Sequence, residues 1–168
     1  MKHNAAKETA LGGVLAALAV VIMALGGMIP FATFACPLLC CILTKAVLAM
    51  TRPRTAWAWY GAVAMLSMLL SPDKEAAAVF VFLGYYPILK PWLDRQRLKW
   101  LWKGLLFNSS ILVMYAILIH LLGMADIAGE FAEAGTVMTV VMLLLGNVTF
   151  FLLDRILGVN LSKRRRHG

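Results

Sequence analysis

The stretch Ser71–Lys90, SPDKEAAAVFVFLGYYPILK, decides how the chain is laid out. It opens with Pro72 and three charged residues, and only the 14 residues from Ala76 to Leu89 are free of charge. As a helix they cover about 21 Å at about 1.5 Å per residue, short of a hydrocarbon core of about 30 Å. If the stretch dips in and returns, the basic segment KPWLDRQRLKWLWK (Lys90–Lys103) and the tail KRRR (Lys163–Arg166) fall opposite Lys2, Lys7, Arg52 and Arg54. If it crosses, every basic cluster shares one side and Lys74 is the only basic residue on the other, as the positive-inside rule demands. Crossing is therefore the consistent reading, with Lys90 snorkelling and Asp73 to Glu75 in the outer headgroup layer.

The rest of the chain agrees with a membrane protein. Of its 168 residues 62% are hydrophobic and 14% charged, and the mean hydropathy is +0.83. Such a composition cannot cover the surface of a water-soluble domain. Apolar runs extend over Ala10–Met28, Ala32–Met50, Thr55–Leu70, Ala76–Leu89, Leu101–Gly123 and Ala134–Val159. They predict an all-α fold, a single integral membrane domain of about six transmembrane helices in one compact bundle. The helices are placed near residues 9–29, 31–51, 55–71, 74–90, 100–123 and 134–159, with a basic cytoplasmic tail at 160–168. The first run passes Pro30 straight into the second, which reads as a helical hairpin rather than a cleavable signal. A net charge of +8 would suggest nucleic acid in a soluble protein; here the segregation of charge assigns it to orientation instead, with both termini inside. Asp126, Glu130 and Glu133 lie in the long outer connection.

Two readings of the charged start of the fourth run stand side by side. In one, Ser71 is the N-cap, Pro72 the first helical residue, and Asp73 and Glu75 complement the helix dipole. In the other, Lys74 and Tyr85, eleven positions apart, return to one helix face within about 20°. With Ala78 and Val81 between them, and Asp73 and Glu75 beside Lys74 as further candidate binding residues, they form one wall of an outward-facing site for an anionic or zwitterionic ligand. Asn108 and Asn147 come out at similar depth in the fifth and sixth runs. They serve either as an interhelical hydrogen bond or as the floor of that site.

Six short helices and a first helix reading ETALGGVLAALAVVIMALGG (Glu8–Gly27) resemble the substrate-binding S component of energy-coupling factor (ECF) transporters. That resemblance implies a bacterial inner-membrane subunit that captures a vitamin, metal ion or other micronutrient from outside. It also implies as partners a transmembrane coupling subunit and a pair of cytoplasmic ATPases. Gly12 with Ala16, and Gly13 with Ala17, match the family's small-xxx-small docking face, although such faces also pack helices within one subunit. No GxxxxGK[ST] phosphate loop is present, consistent with energy supplied by partners.

The remaining residues carry weaker signals. Trp92, Trp100 and Trp102, with Arg95 and Arg97, read as an interfacial anchor on anionic lipid or as a partner-docking segment. Lys45 and Asp154 read as a structural pair or as independent snorkelling groups, with a proton relay as the sharper alternative. Cys36, Cys40 and Cys41 in ACPLLCC read as small buried residues rather than a soft-metal site. No catalytic constellation, metal site or cofactor is expected from Asp73, Glu75, Asp126 and His120. The alternative function is a non-enzymatic structural subunit of a cell-envelope assembly, of the rod-shape-determining membrane protein type.

Overall fold

The computed structural model describes residues 2–26, 32–120, 123 and 125–158. Helix accounts for 91% of it, and no strand occurs among the described residues. In chain order the elements are α1 (Lys2–Gly26), α2 (Ala32–Met50), α3 (Pro53–Leu70), α4 (Lys74–Leu83), α5 (Tyr86–Leu93), α6 (Lys99–His120) and α7 (Ala125–Gly158). Five segments are long and apolar enough to cross a membrane: Glu8–Gly26, Ala32–Met50, Lys74–Leu93, Lys99–His120 and Gly135–Gly158. The third expected run, α3, is an 18-residue helix but is not among those five. The Pro30 turn, the basic tail and the side chains of Lys2, Lys7, Asp126 and Glu130 lie outside the described residues.

The chain packs as two compact units, one ending at Asp94 and the other beginning at Arg95. In the first, α2 packs on α1, α3, α4 and α5, and α1 also meets α3. The core gathers Ala19 and Met23 of α1, Cys36 and Cys40 of α2, Val63 of α3, and Ala76, Ala77 and Phe80 of α4. The second unit is a hairpin of α6 on α7.

The burial of α4 explains why its apolar run is so short. The Lys74–Leu93 segment is 61% buried, against 11–33% for the other four membrane-length segments. Ala76 through Phe80 are buried without a break, and three alanines in a row let neighbouring backbones approach closely. A helix enclosed by protein does not have to match a bilayer thickness along its own surface.

That segment is two helices rather than one. α4 ends at Leu83, and Gly84–Tyr85 form a turn before α5. Pro87 has no N–H to give the Leu83 carbonyl four residues back. The Cys41 thiol on α2 supplies the missing donor, with Sγ 3.6 Å from the Leu83 oxygen. Gly84 fits because a Cβ there would stand 2.7 Å from the Phe80 ring. α7 is likewise interrupted, at Gly135, whose φ of 69° and ψ of 170° are open to glycine and costly for other residues. The long connection that holds Asp126, Glu130 and Glu133 is helical from Ala125, and the break falls where the sixth apolar run was expected to begin.

Candidate functional site

The charged start of α4 is occupied with building the fold. Ser71 precedes Pro72 and is extended, at φ −69° and ψ 131°, as pre-proline sterics favour. Its hydroxyl proton is shared between Met23 O at 3.1 Å and Asp73 O at 3.0 Å, and the N-cap expected at Ser71 is Asp73 instead. Asp73 Oδ1 accepts from Ala76 N at 2.9 Å, satisfying one of the orphan donors of the first turn. Glu75 is half-buried in that turn. Lys74 Nζ donates to Met68 O at 2.8 Å and Ser71 O at 3.0 Å, where the negative end of α3 attracts a cation.

Tyr85 lies on the same side. Its ring stacks on Trp57 at 6.5 Å between centroids and meets Tyr60 edge-on at 6.1 Å. Between Lys74 and Tyr85, the Val81 carbonyl accepts from the Tyr60 hydroxyl. Lys74, Val81 and Tyr85 thus do share a face, as their spacing predicts, and what that face meets is α3. The stripe is a helix–helix contact, and Lys74, Val81 and Tyr85 each stay half-exposed in it.

The two small-residue rows on α1 part company. Ala16 packs on the core, and the Gly12 carbonyl accepts from the Trp59 indole N–H at 3.0 Å. Gly13 and Ala17 are exposed, beside exposed Val14 and Leu18. The three cysteines are buried, and Cys40 Sγ donates to Ala19 O at 3.6 Å. Two of the three thiols therefore act as weak donors to helix carbonyls. Among the described residues, no group of three or more His, Cys, Asp and Glu could hold a metal ion.

The second unit holds a buried ion pair and a pair of bonded amides, and sequence reading found only part of them. On α6 the buried positions Lys103, Phe107, Ser110, Met114 and Leu118 follow helical spacing and face α7. Asn108 and Asn147 bond each other in both directions, at 3.0 and 3.1 Å, which is the interhelical bond expected of them. Each amide also donates to the carbonyl four residues back, Gly104 O and Leu143 O, at 2.8 Å.

Near these amides, Lys103 Nζ bonds both Asp154 oxygens, at 3.0 and 2.9 Å. Lys103 is 3% and Asp154 5% exposed. Of the readings offered for Lys45 and Asp154, a structural pair or independent snorkelling, neither holds for Asp154, whose carboxylate is bonded to Lys103; Lys45 is half-buried on α2. Lys103 sits among tryptophans and other basic residues, a pattern that reads as interfacial. Its i, i+4 spacing to Phe107 in the buried series is the one signal that could have set it apart. Phe107 stacks on Phe150 with centroids 4.6 Å apart, and Lys103 Nζ lies 5.2 Å from the Trp100 ring centroid.

Beside the ion pair is a cavity of about 130 Å³. The cavity is half open and lined by the polar side chains of Asn147, Lys103 and Asp154 and by Trp100, Gly104, Phe150 and Phe151. Of the expected site residues, Asn147 lines this cavity and Asn108 braces it. The residues of the expected anchor, Trp92, Trp100, Trp102, Arg95 and Arg97, are all exposed, and Trp100 also packs on Phe151 at 5.5 Å. Comparison with known proteins found no matching family model, no matching curated protein and no matching solved structure.

Proposed function

We propose that this chain is the substrate-binding, S-component-like membrane subunit of a multi-component micronutrient importer. In this reading it crosses a bacterial inner membrane six times, counting α3 and counting α4 with α5 once, with both termini cytoplasmic. It takes a small molecule from the outer side and draws energy from partner ATPases through a transmembrane coupling subunit.

The observation that carries the reading is the division of α1 into two faces. Gly12, Ala16, Ala19 and Met23 turn inward, while Gly13 and Ala17 form an exposed ridge on which a second helix could approach closely. The test is purification from native membranes in mild detergent. A second multi-span protein and ATP-hydrolysing subunits should accompany the wild type and be lost with Gly13→Leu combined with Ala17→Leu. A Cβ at Gly13 meets nothing within 4 Å, so the variant should melt like the wild type. Equal recovery of those subunits with the variant would refute the docking face.

A second reading, a structural subunit of a cell-envelope assembly, is favoured by one observation. Lys74 and Tyr85, the groups expected to meet a ligand, are engaged with α3. Recovery of cell-wall-synthesising proteins in the same purification would select it.

A further inference from the structure

Two exposed cations border the cleft at the end of the α6–α7 hairpin where α6 begins. Lys99 Nζ lies 5.9 Å from the centroid of the Trp100 ring, and Arg155 Cζ 5.8 Å from that of Phe151. The two rings pack with centroids 5.5 Å apart, and both line the cleft. Lys99 therefore stands by one ring of an aromatic pair and Arg155 by the other. The charge around them is one-sided. Among the described residues from 95 to 103 and from 150 to 158 there are five cations, Arg95, Arg97, Lys99, Lys103 and Arg155, and one acid, Asp154. Asp154 is bonded to Lys103 at 2.9 Å, whereas the other four cations are exposed. The same end also exposes Leu101, Trp102, Leu105 and Leu152. A soluble polyanion would cover the charges and leave that apolar surface in water; an anionic lipid covers both.

We propose that this cleft binds one anionic phospholipid of the cytoplasmic leaflet, its phosphate drawn to Lys99 and Arg155 and the upper part of one acyl chain lying along Trp100, Gly104 and Phe151. Arginine can hold a phosphate through two parallel N–H groups, and lysine as a point charge. Gly104 leaves the room, since a Cβ there would meet nothing within 4 Å. The cavity, about 130 Å³, takes part of one chain, and the rest of the lipid stays in the leaflet. In the proposed topology this end of the hairpin is cytoplasmic, where anionic headgroups meet juxtamembrane basic residues. A defined site differs from general attraction to a basic surface in being tied to position. Arg52 and Arg54, exposed on the first unit and cytoplasmic in the same topology, give an equally charged comparison. The binding needs no partner subunit and does not depend on the importer reading.

The experiment uses the purified full chain in detergent, with phosphatidylglycerol and phosphatidylcholine of identical acyl chains as probes, read by native mass spectrometry and thermal melting. One phosphatidylglycerol should be retained about twentyfold more tightly than phosphatidylcholine. Lys99→Gln and Arg155→Gln should each weaken it about fivefold, as expected for one basic residue at a lipid surface, and together remove the preference. Arg52→Gln with Arg54→Gln should leave it unchanged. Gly104→Leu keeps every charge, fills the groove and should abolish retention, so it tests the site separately if a charge variant does not fold. Soluble glycerol phosphate, a headgroup without chains, should not displace the lipid at millimolar concentration. Equal retention of the two lipids, an equal loss with the Arg52 and Arg54 variant, retention that survives Gly104→Leu, or displacement by glycerol phosphate would overturn the proposal. So would a co-purifying protein that is lost with Lys99→Gln and Arg155→Gln while the lipid preference persists, since that face would then belong to a protein.

Discussion

Lys103→Met should be among the most damaging single substitutions in the second unit. It removes both bonds to Asp154, at 2.9 and 3.0 Å, from a carboxylate whose side chain is 6% exposed. Breaking a buried pair on one side costs about 3–5 kcal/mol, whereas replacing both members with apolar residues of similar volume is often neutral. Asp154→Leu should cost a comparable amount, and the double variant should return to within about 1 kcal/mol of wild type. The asparagines provide the contrast. Each keeps a bond to its own helix at 2.8 Å, so the coupling between Asn108 and Asn147 should be only about 0.6 kcal/mol, typical of polar pairs between membrane helices. Two double-mutant cycles, read by reversible unfolding in bicelles, measure both couplings. A Lys103→Met cost below about 1 kcal/mol, or a double variant as unstable as the sum of its singles, would refute the reasoning.

Lys74→Met deprives the end of α3 of two hydrogen bonds and should lower stability by about 1–2 kcal/mol, the partial exposure of Lys74 reducing the full charge-assisted value; unchanged melting would show that the latch contributes nothing. In a background without Cys36, Cys40 and Cys41, a cysteine at exposed Glu133 should react with an impermeant thiol reagent in intact cells while one at exposed Arg97 should not; the opposite pattern would invert the proposed orientation.

Helix type and approximate position were legible because apolar runs of membrane length admit few other structures. Two boundaries were not, for local reasons. Pro87 breaks the Lys74–Leu93 segment after Leu83, yet composition cannot show whether a proline in an apolar run bends a helix or divides it. Pro37 has a similar setting in α2, which continues unbroken from Ala32 to Met50. Periodicity placed Lys74 and Tyr85 on one face but could not say that α3 covers it, since a helix-facing stripe and a cavity-facing stripe have the same spacing. Asn108 and Asn147 were legible as partners because polar amides in apolar runs seek one another. Lys103 was hidden by its neighbours: among Lys99, Trp100 and Trp102, a lysine that turns inward looks like those that turn outward. Trp59 was missed for a related reason, its bond to the Gly12 carbonyl spanning two helices whose contact no local pattern records.

The Lys103–Asp154 pair joins positions 51 residues apart, one near the start of α6 and the other near the end of α7. During synthesis at a membrane, the lysine is therefore made first and must wait for its counter-charge. Its long aliphatic stem suits it to that delay, because the ammonium can remain among headgroups while the rest of α6 enters the lipid. Asp154 has a short side chain and no such reach, but by the time it emerges its partner is already present. Had the two charges been exchanged, the carboxylate would have entered first with nothing to neutralise it. The order of the pair along the chain thus lets α6 and α7 bring these two charges together already balanced.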